Sequence, residues 1–161
     1  MKRIDLIISH PDFIESMRRN AKAEATRIYC KHDITHSLDV ARIAYIISLE
    51  SGHIFPQELI YAAALLHDIT RWKQYLDGTP HNESAVEPAA NILRDCDFSK
   101  TEIATVCDAV LHHRNDPLAG DNNIFSNLIY RADKLSRPCY SCKSADSCKR
   151  SEDMRNFVLE V

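Results

Sequence analysis

The sequence predicts an all-α protein: a compact bundle of helices followed by a short, cysteine-containing tail. Three observations support this. Apolar residues recur at helical spacing in one segment after another, and no segment shows the sustained two-residue alternation of a strand. The breaks between segments carry helix-boundary residues: Pro11, Asp33, Gly52, Pro56, Gly78-Thr79-Pro80, Ser99 and Pro138. Only three glycines and 7% aromatic residues occur in the chain, too few for a β-sandwich or a dinucleotide-binding sheet.

Lys2 to Ser9 reads as a short helix stopped by His10-Pro11. Pro11 suits the first turn of a second helix, about residues 12–29, whose core face would be Phe13, Met17, Ala21, Ala25 and Ile28. Asp33 caps a third helix that reaches Glu50 and is closed by Gly52. Its stripe of Ile34, Leu38, Ala41 and Tyr45, widened by Ile43, Ile46 and Ile47, predicts a central position. Pro56 opens a fourth helix that ends at His67-Asp68. The Gly78-Thr79-Pro80 turn leads to His81 and a helix over about residues 84–95, which Pro88 makes start late or bend. Ser99 and Glu102 form a capping box for a helix running through Ile103, Val106 and Val110 to His112-His113. Residues 117–123 read as a loop and residues 124–136 as a helix carrying Asp133, ended by Pro138. The expected organisation is one helical domain, residues 1–137, with a tail, residues 138–161, packed on it.

A 45% apolar and 27% charged composition is that of a globular chain, and a net charge of −3 predicts no surface for nucleic acid. Local Lys, Arg or metal charge can still bind phosphate. The N-terminal Met1-Lys-Arg-Ile-Asp is too charged for a signal peptide, and no apolar run is long enough to cross a bilayer. The expectation is a cytoplasmic protein with no membrane partner, in which the six cysteines are thiols or metal ligands rather than disulfides.

The chemistry centres on Ala62 to Arg71, an apolar run ending in His67 and Asp68 and followed by Arg71. An imidazole and a carboxylate at the end of a core helix are costly unless both bind something, and a metal ion satisfies both at once. Other His and acidic residues sit at helix ends or on apolar faces: His36, His81, His113 and Asp133. Such ligands suit Fe, Mn, Co, Ni or Zn. The simplest assignment gives one ion His36, His67, Asp68 and Asp133, and a second His81 and His113 with Asp68 shared. Singly, each residue has a plainer explanation: His36 as a hydrogen-bonded histidine, Asp133 as an ion pair with Lys134, His81 and His112 or His113 as loop residues. Their number and order around the His-Asp pair favour the metal.

The combination of Thr35-His36, Leu66-His67-Asp68-Ile69 and Ala132-Asp133-Lys134 resembles the HD superfamily of metal-dependent phosphohydrolases, over roughly residues 32–137. His81, in His-Asn-Glu-Ser-Ala, and His113 are similar to the histidines of a subset that holds two metals. The bacterial hydrolases that split diadenosine tetraphosphate symmetrically share this order of six ligands. The resemblance prefers His113 to His112, which lies about 100° round the helix. It implies an HD-type helical bundle with one or two divalent ions. These would supply a metal-activated hydroxide for cleaving a nucleotide or other small phosphate ester. Asp68 would be catalytic as the bridge, and Arg71, where many relatives carry Lys, would be catalytic and phosphate-binding. Lys134 would also bind phosphate, Lys73 and Arg137 are weaker candidates, and His112 or His32 would protonate the leaving group. Two alternatives stay open: a di-iron oxygenase on the same scaffold, and a non-catalytic nucleotide-binding or redox-sensing module. Monomer and homodimer are both compatible with the sequence.

The tail carries Cys139-x2-Cys142-x5-Cys148 in a polar segment, three thiols that read as ligands of a structural zinc or an iron–sulfur site. Cys30 is the preferred fourth ligand. It lies six residues before His36, as Cys139 lies six after Asp133, so antiparallel helices meeting at the metal would bring both out at one end, about 9 Å along. His32 is the other candidate, and unpaired surface thiols are the plain reading. Cys96 and Cys107 fall within helices and read as small core residues.

Overall fold

The computed structural model describes residues 1–115 and 123–160. Among these residues nine α-helices and two 3-10 turns form the regular structure and no strand occurs, so the all-α expectation holds. Helices α1 (Lys2–Ser9) and α2 (Pro11–Ala23) follow one another across His10, whose ring accepts from the Asp12 N–H. Helix α1 buries Ile4 and Ile7, and its Arg3 reaches Glu58 and Glu102 while lying over the Phe98 ring.

Helix α2 is shorter than the sequence predicts. It ends at Ala23 because Glu24 turns inward, accepting from the His32 N–H at 2.8 Å. Ala21, Ala25 and Ile28, expected on the core face, are exposed. The inward stripe is Phe13, Met17, Asn20 and Glu24, at helical spacing but with two polar members, which an apolar pattern does not register.

Helix α3 (Ile34–Glu50) is central, packed between α4 (Gln57–Leu66) and α9 (Ile124–Leu135). Asp33 caps it by accepting from the His36 N–H at 3.0 Å, and Gly52 takes the left-handed conformation just beyond its end (φ +73°). Its buried face is Ser37, Val40, Ala41, Ala44, Ile47 and Ser48. Ile34 and Ile46, expected in the stripe, are exposed. Helix α4 buries nearly its whole length, and Leu59, Ile60, Leu65 and Leu66 make the middle of the core.

The helix stops at Leu66 rather than at Asp68. His67–Thr70 form a turn that leads into a short helix, α5 (Arg71–Asp77), which the sequence reading lacked. Thr70 stands where an N-cap would, but its hydroxyl goes to the His81 carbonyl at 2.9 Å. The helix predicted over residues 84–95 does start late, as α7 (Val86–Asp95), and a separate short helix, α6 (His81–Ser84), which the sequence reading lacked, precedes it. Pro88 falls in the first turn of α7, where no N–H is needed.

The capping box at Ser99 and Glu102 is formed and opens α8 (Lys100–His112), which packs on α4, α7 and α9. Most of the predicted 117–123 loop lies outside the described residues, and Asn123 caps α9 by accepting from the Ser126 N–H. The tail runs over the start of α3 and the end of α9. Tyr29 donates to the Ser147 carbonyl, and Asn156 donates to the carbonyls of Lys134, Leu135 and Arg137. No helix among the described residues is long and apolar enough to cross a membrane.

Candidate metal centre

The ends of α3, α4, α8 and α9 and the start of α6 converge on one polar cavity of about 210 Å³, bordered by His36, Asp68, His81, His113 and Asp133. His67 completes the cluster from beneath and is fully buried, as His81 and His113 very nearly are. Two sets of donor atoms result, His36 with His67 and Asp133, and Asp68 with His81 and His113. In each set every atom lies within 4.8 Å of the others.

The two oxygens of Asp68 divide between the sets. Its Oδ2 lies 3.1 Å from His67 Nε2 and 3.8 Å from His36 Nε2, while Oδ1 lies 2.8 Å from His81 Nε2 and 3.8 Å from His113 Nε2. Asp133 Oδ1 stands 3.4 Å from His36 Nε2.

Three imidazoles are held in the same tautomer. His67 Nδ1 donates to the Ala64 carbonyl at 2.7 Å and His113 Nδ1 to the Val110 carbonyl at 2.6 Å. Both contacts arise within the last helical turn, so the backbone that ends the helix also sets the ring. Ser136 gives its own hydrogen to the Asp133 carbonyl, so its oxygen accepts from His36 Nδ1 at 3.3 Å. Each of these three rings thus turns the Nε2 lone pair inward, the orientation that outer partners impose on ligating histidines. On the fourth, His81, Gln74 Oε1 and Arg71 Nη1 lie 2.5 and 2.8 Å from Nδ1, and Nε2 also faces inward, 2.8 Å from Asp68.

Inside, the polar atoms crowd without pairing. His36 Nε2, His67 Nε2 and Asp68 Oδ1 are buried and lack a hydrogen-bond partner of acceptable geometry. A native fold rarely tolerates such a group of atoms unless something else binds them. Electrostatics point the same way. Burial would raise Asp68 and Asp133, but the neighbouring histidines, together with Lys134 and Arg137 at Asp133, hold both well below the usual carboxylate range. Burial pushes His113 down to about 3 and also lowers His81. On His67 the charges of Asp68 and Asp133 outweigh burial and favour the proton, which stands where a cation would neutralise the same carboxylates. Ionised acids around imidazole lone pairs form a fitting donor set for divalent metal.

The other predicted residues divide. Arg71 borders the cavity, with Nη1 2.8 and 2.9 Å from the two ring nitrogens of His81 and Nε donating to Tyr75 at 3.3 Å. Lys134 and Arg137 border it too, and both pair with Asp133. Lys73 does not border the cavity and lies over the Trp72 ring instead. His112 points away and pairs with Asp108 at 3.0 Å, so it is withdrawn as a proton donor at this centre. His32 is at the cavity, 3.8 Å from Asp68 Oδ2, and its Nδ1 meets Glu24 Oε1 at 2.5 Å. That places it away from the role of fourth ligand to the tail cysteines. Cys30, Cys139, Cys142 and Cys148 border a separate cavity, while Cys96 is buried and Cys107 half-buried.

Sequence reasoning missed Asn20, Glu24, Tyr75, Arg114 and Arg150. Asn20 bridges the turn, donating to the Asp68 carbonyl at 2.9 Å and accepting from the Trp72 N–H at 2.8 Å. Tyr75 donates to Glu24 at 2.7 Å, and Arg114 and Arg150 add positive charge at the cavity mouth. The one available signal was the helical spacing of Asn20 and Glu24 from Phe13.

Comparison with known proteins agrees with this geometry. The chain is 42% identical over 159 residues to an uncharacterized protein of Clostridium beijerinckii, an alignment covering 99% of each. It is similar in fold, with a TM-score of 0.61 and 24% identity, to the crystal structure of a predicted HD superfamily hydrolase from an uncultured Thermotogales bacterium; the match spans 96% of this chain and 87% of that one. The HD domain model matches residues 33–137, from the cap of α3 to the arginine beyond α9, a span that includes every residue of the two donor sets. With that match joined to the His67-Asp68 corner and its inward-facing imidazoles, the chain belongs to the HD domain family.

Proposed function

We propose that the protein is a metal-dependent phosphohydrolase acting on a small phosphate ester, with a nucleotide as the preferred class. The observation that carries this reading is the convergence of the Nε2 atoms of His36, His67, His81 and His113 on two ionised carboxylates. His36, His67 and Asp133 would hold one ion and His81 and His113 another, with one oxygen of Asp68 toward each. Bound there, a divalent pair supplies a Lewis acid for a phosphoryl oxygen and a water that deprotonates near neutral pH.

The chain's own residues do the rest. Arg71, Arg114, Lys134, Arg137 and Arg150 around the cavity favour an anionic group and offset the charge that develops on its oxygens. At about 210 Å³ the cavity suits a phosphoryl end, with the remainder of the ester outside. His32, its Nδ1 against Glu24, would pass a proton from Nε2 to the departing oxygen.

Elemental analysis of the purified protein, with a screen of nucleotides and phosphate esters, tests the reading. Phosphate release should need bound metal and persist without oxygen. Asp68→Ala and His67→Ala should lose metal and turnover together, and His113→Ala should retain about half the metal. Full metal content in Asp68→Ala would remove the centre, and turnover that requires oxygen would move the protein to oxidative chemistry.

A further inference from the structure

A second cavity, of about 360 Å³, lies between the segment before α3 and the tail. Cys30, Cys139, Cys142 and Cys148 all border it, and all four are half-buried free thiols. Helices α3 and α9 pack side by side, so the residues just before one and just after the other emerge together, which brings Cys30 to Cys139 and Cys142. The surrounding loops are tied down. Arg27 donates to the Cys30 carbonyl, Ser144 to the Ile28 carbonyl, and Arg155 to the Ala145 carbonyl.

Two features distinguish the ligand. Thiolates around one zinc ion, each about 2.3 Å from it, stand about 3.8 Å apart. Among the described residues, the cysteine sulfurs form no group of three within 4.8 Å of one another. They border a volume many times that of a single ion, with room for a polynuclear core whose thiolates attach at its corners. The charge around them is positive. Arg27, Lys149, Arg150 and Arg155 border the same cavity, and Arg155 Nε is buried with no hydrogen-bond partner. Buried guanidinium N–H groups of this kind suit the sulfur atoms of an anionic cluster.

We propose that Cys30, Cys139, Cys142 and Cys148 hold a four-iron, four-sulfur cluster between the start of α3 and the tail. Each thiol gives its proton to solvent as its sulfur bonds one iron, so a core of two ferrous ions, two ferric ions and four sulfides becomes a complex of net charge two minus. No oxidation state changes in that step, and the four basic side chains balance the charge. The site is distinct from the His/Asp centre, although Cys30 and Arg150 border both cavities.

The full-length chain, reconstituted anaerobically with equal amounts of ferrous and ferric iron plus sulfide and then desalted, should retain about four acid-labile sulfides per chain, with the brown charge-transfer absorption of a cluster. Iron in the His/Asp centre brings no inorganic sulfide, so the sulfide count reports this site alone. Cys30→Ser, Cys142→Ser and Cys148→Ser should each lose most of the sulfide, whereas Cys107→Ser, outside the cavity, should keep it. Circular dichroism checks that each variant is folded, and the wild-type count decides even where one is not. One zinc held by the thiols with no sulfide retained would overturn the cluster, as would no sulfide or zinc at all, or undiminished sulfide in folded Cys30→Ser.

Discussion

Asn20 holds the corner on which the metal centre is built. Its amide is buried and bonds the backbone on both sides of the turn, at Asp68 and at Trp72. Asn20→Ala would leave the half-buried Trp72 N–H unpaired and the Asp68 carbonyl with the Arg71 N–H as its one donor among those described. It should cost about 1–3 kcal/mol in urea unfolding and lower metal content by loosening the turn at Asp68. Metal content equal to wild type would show that the turn holds its shape unaided. His36, His67 and His113 were legible in the sequence because each placed an imidazole in a helical stretch that could have been apolar, and His81 through the family resemblance. Asn20, Glu24 and Tyr75 were not, since a polar residue on an amphipathic helix looks the same whether it faces water or bonds a buried neighbour. Only contact across the fold, α2 against the turn and α5, separates the two cases.

Among elements, α8 shows how one side chain can serve two structures. Glu102 accepts from the Ser99 N–H within the capping box and also from Arg3 of α1. Ser99→Ala should cost about 1 kcal/mol, the usual loss for a cap. Glu102→Ala should cost about 2 kcal/mol, because the box and a partly exposed ion pair disappear together. Equal losses in urea unfolding would mean that Arg3 is satisfied by Glu58 alone. Helix boundaries written in Pro, Gly or capping residues were legible, as at Pro11, Asp33, Pro56, Ser99 and Pro138. The late start of α7 was legible from Pro88, whereas the early end of α2 and the existence of α5 and α6 were not. Each depends on a side chain reaching another segment: Glu24 to His32, and Thr70 to His81.

At the level of the whole molecule, the candidate metal centre joins five segments of the chain, so occupying it should stabilise the fold as a unit. Binding a divalent ion about 100-fold above its dissociation constant adds about 2.7 kcal/mol, which should raise the Tm of chelator-treated protein by about 5–10 °C. Asp68→Ala should show no such rise in a metal titration followed by thermal unfolding, and an equal rise would place the stabilising ion elsewhere. That Cys30 would border one cavity with the tail cysteines was legible from the side-by-side packing expected of α3 and α9, although the fixed helical rise does not reach Cys30 or Cys139, which lie outside those helices. The packing of Arg71 against His81 was not, and it has a consequence of its own. The guanidinium of Arg71 stands 2.9 Å from the inward nitrogen of His81. Two cations repel at such a distance, so a divalent ion bound there should displace Arg71, and a structure of the metal-loaded protein would show the side chain moved.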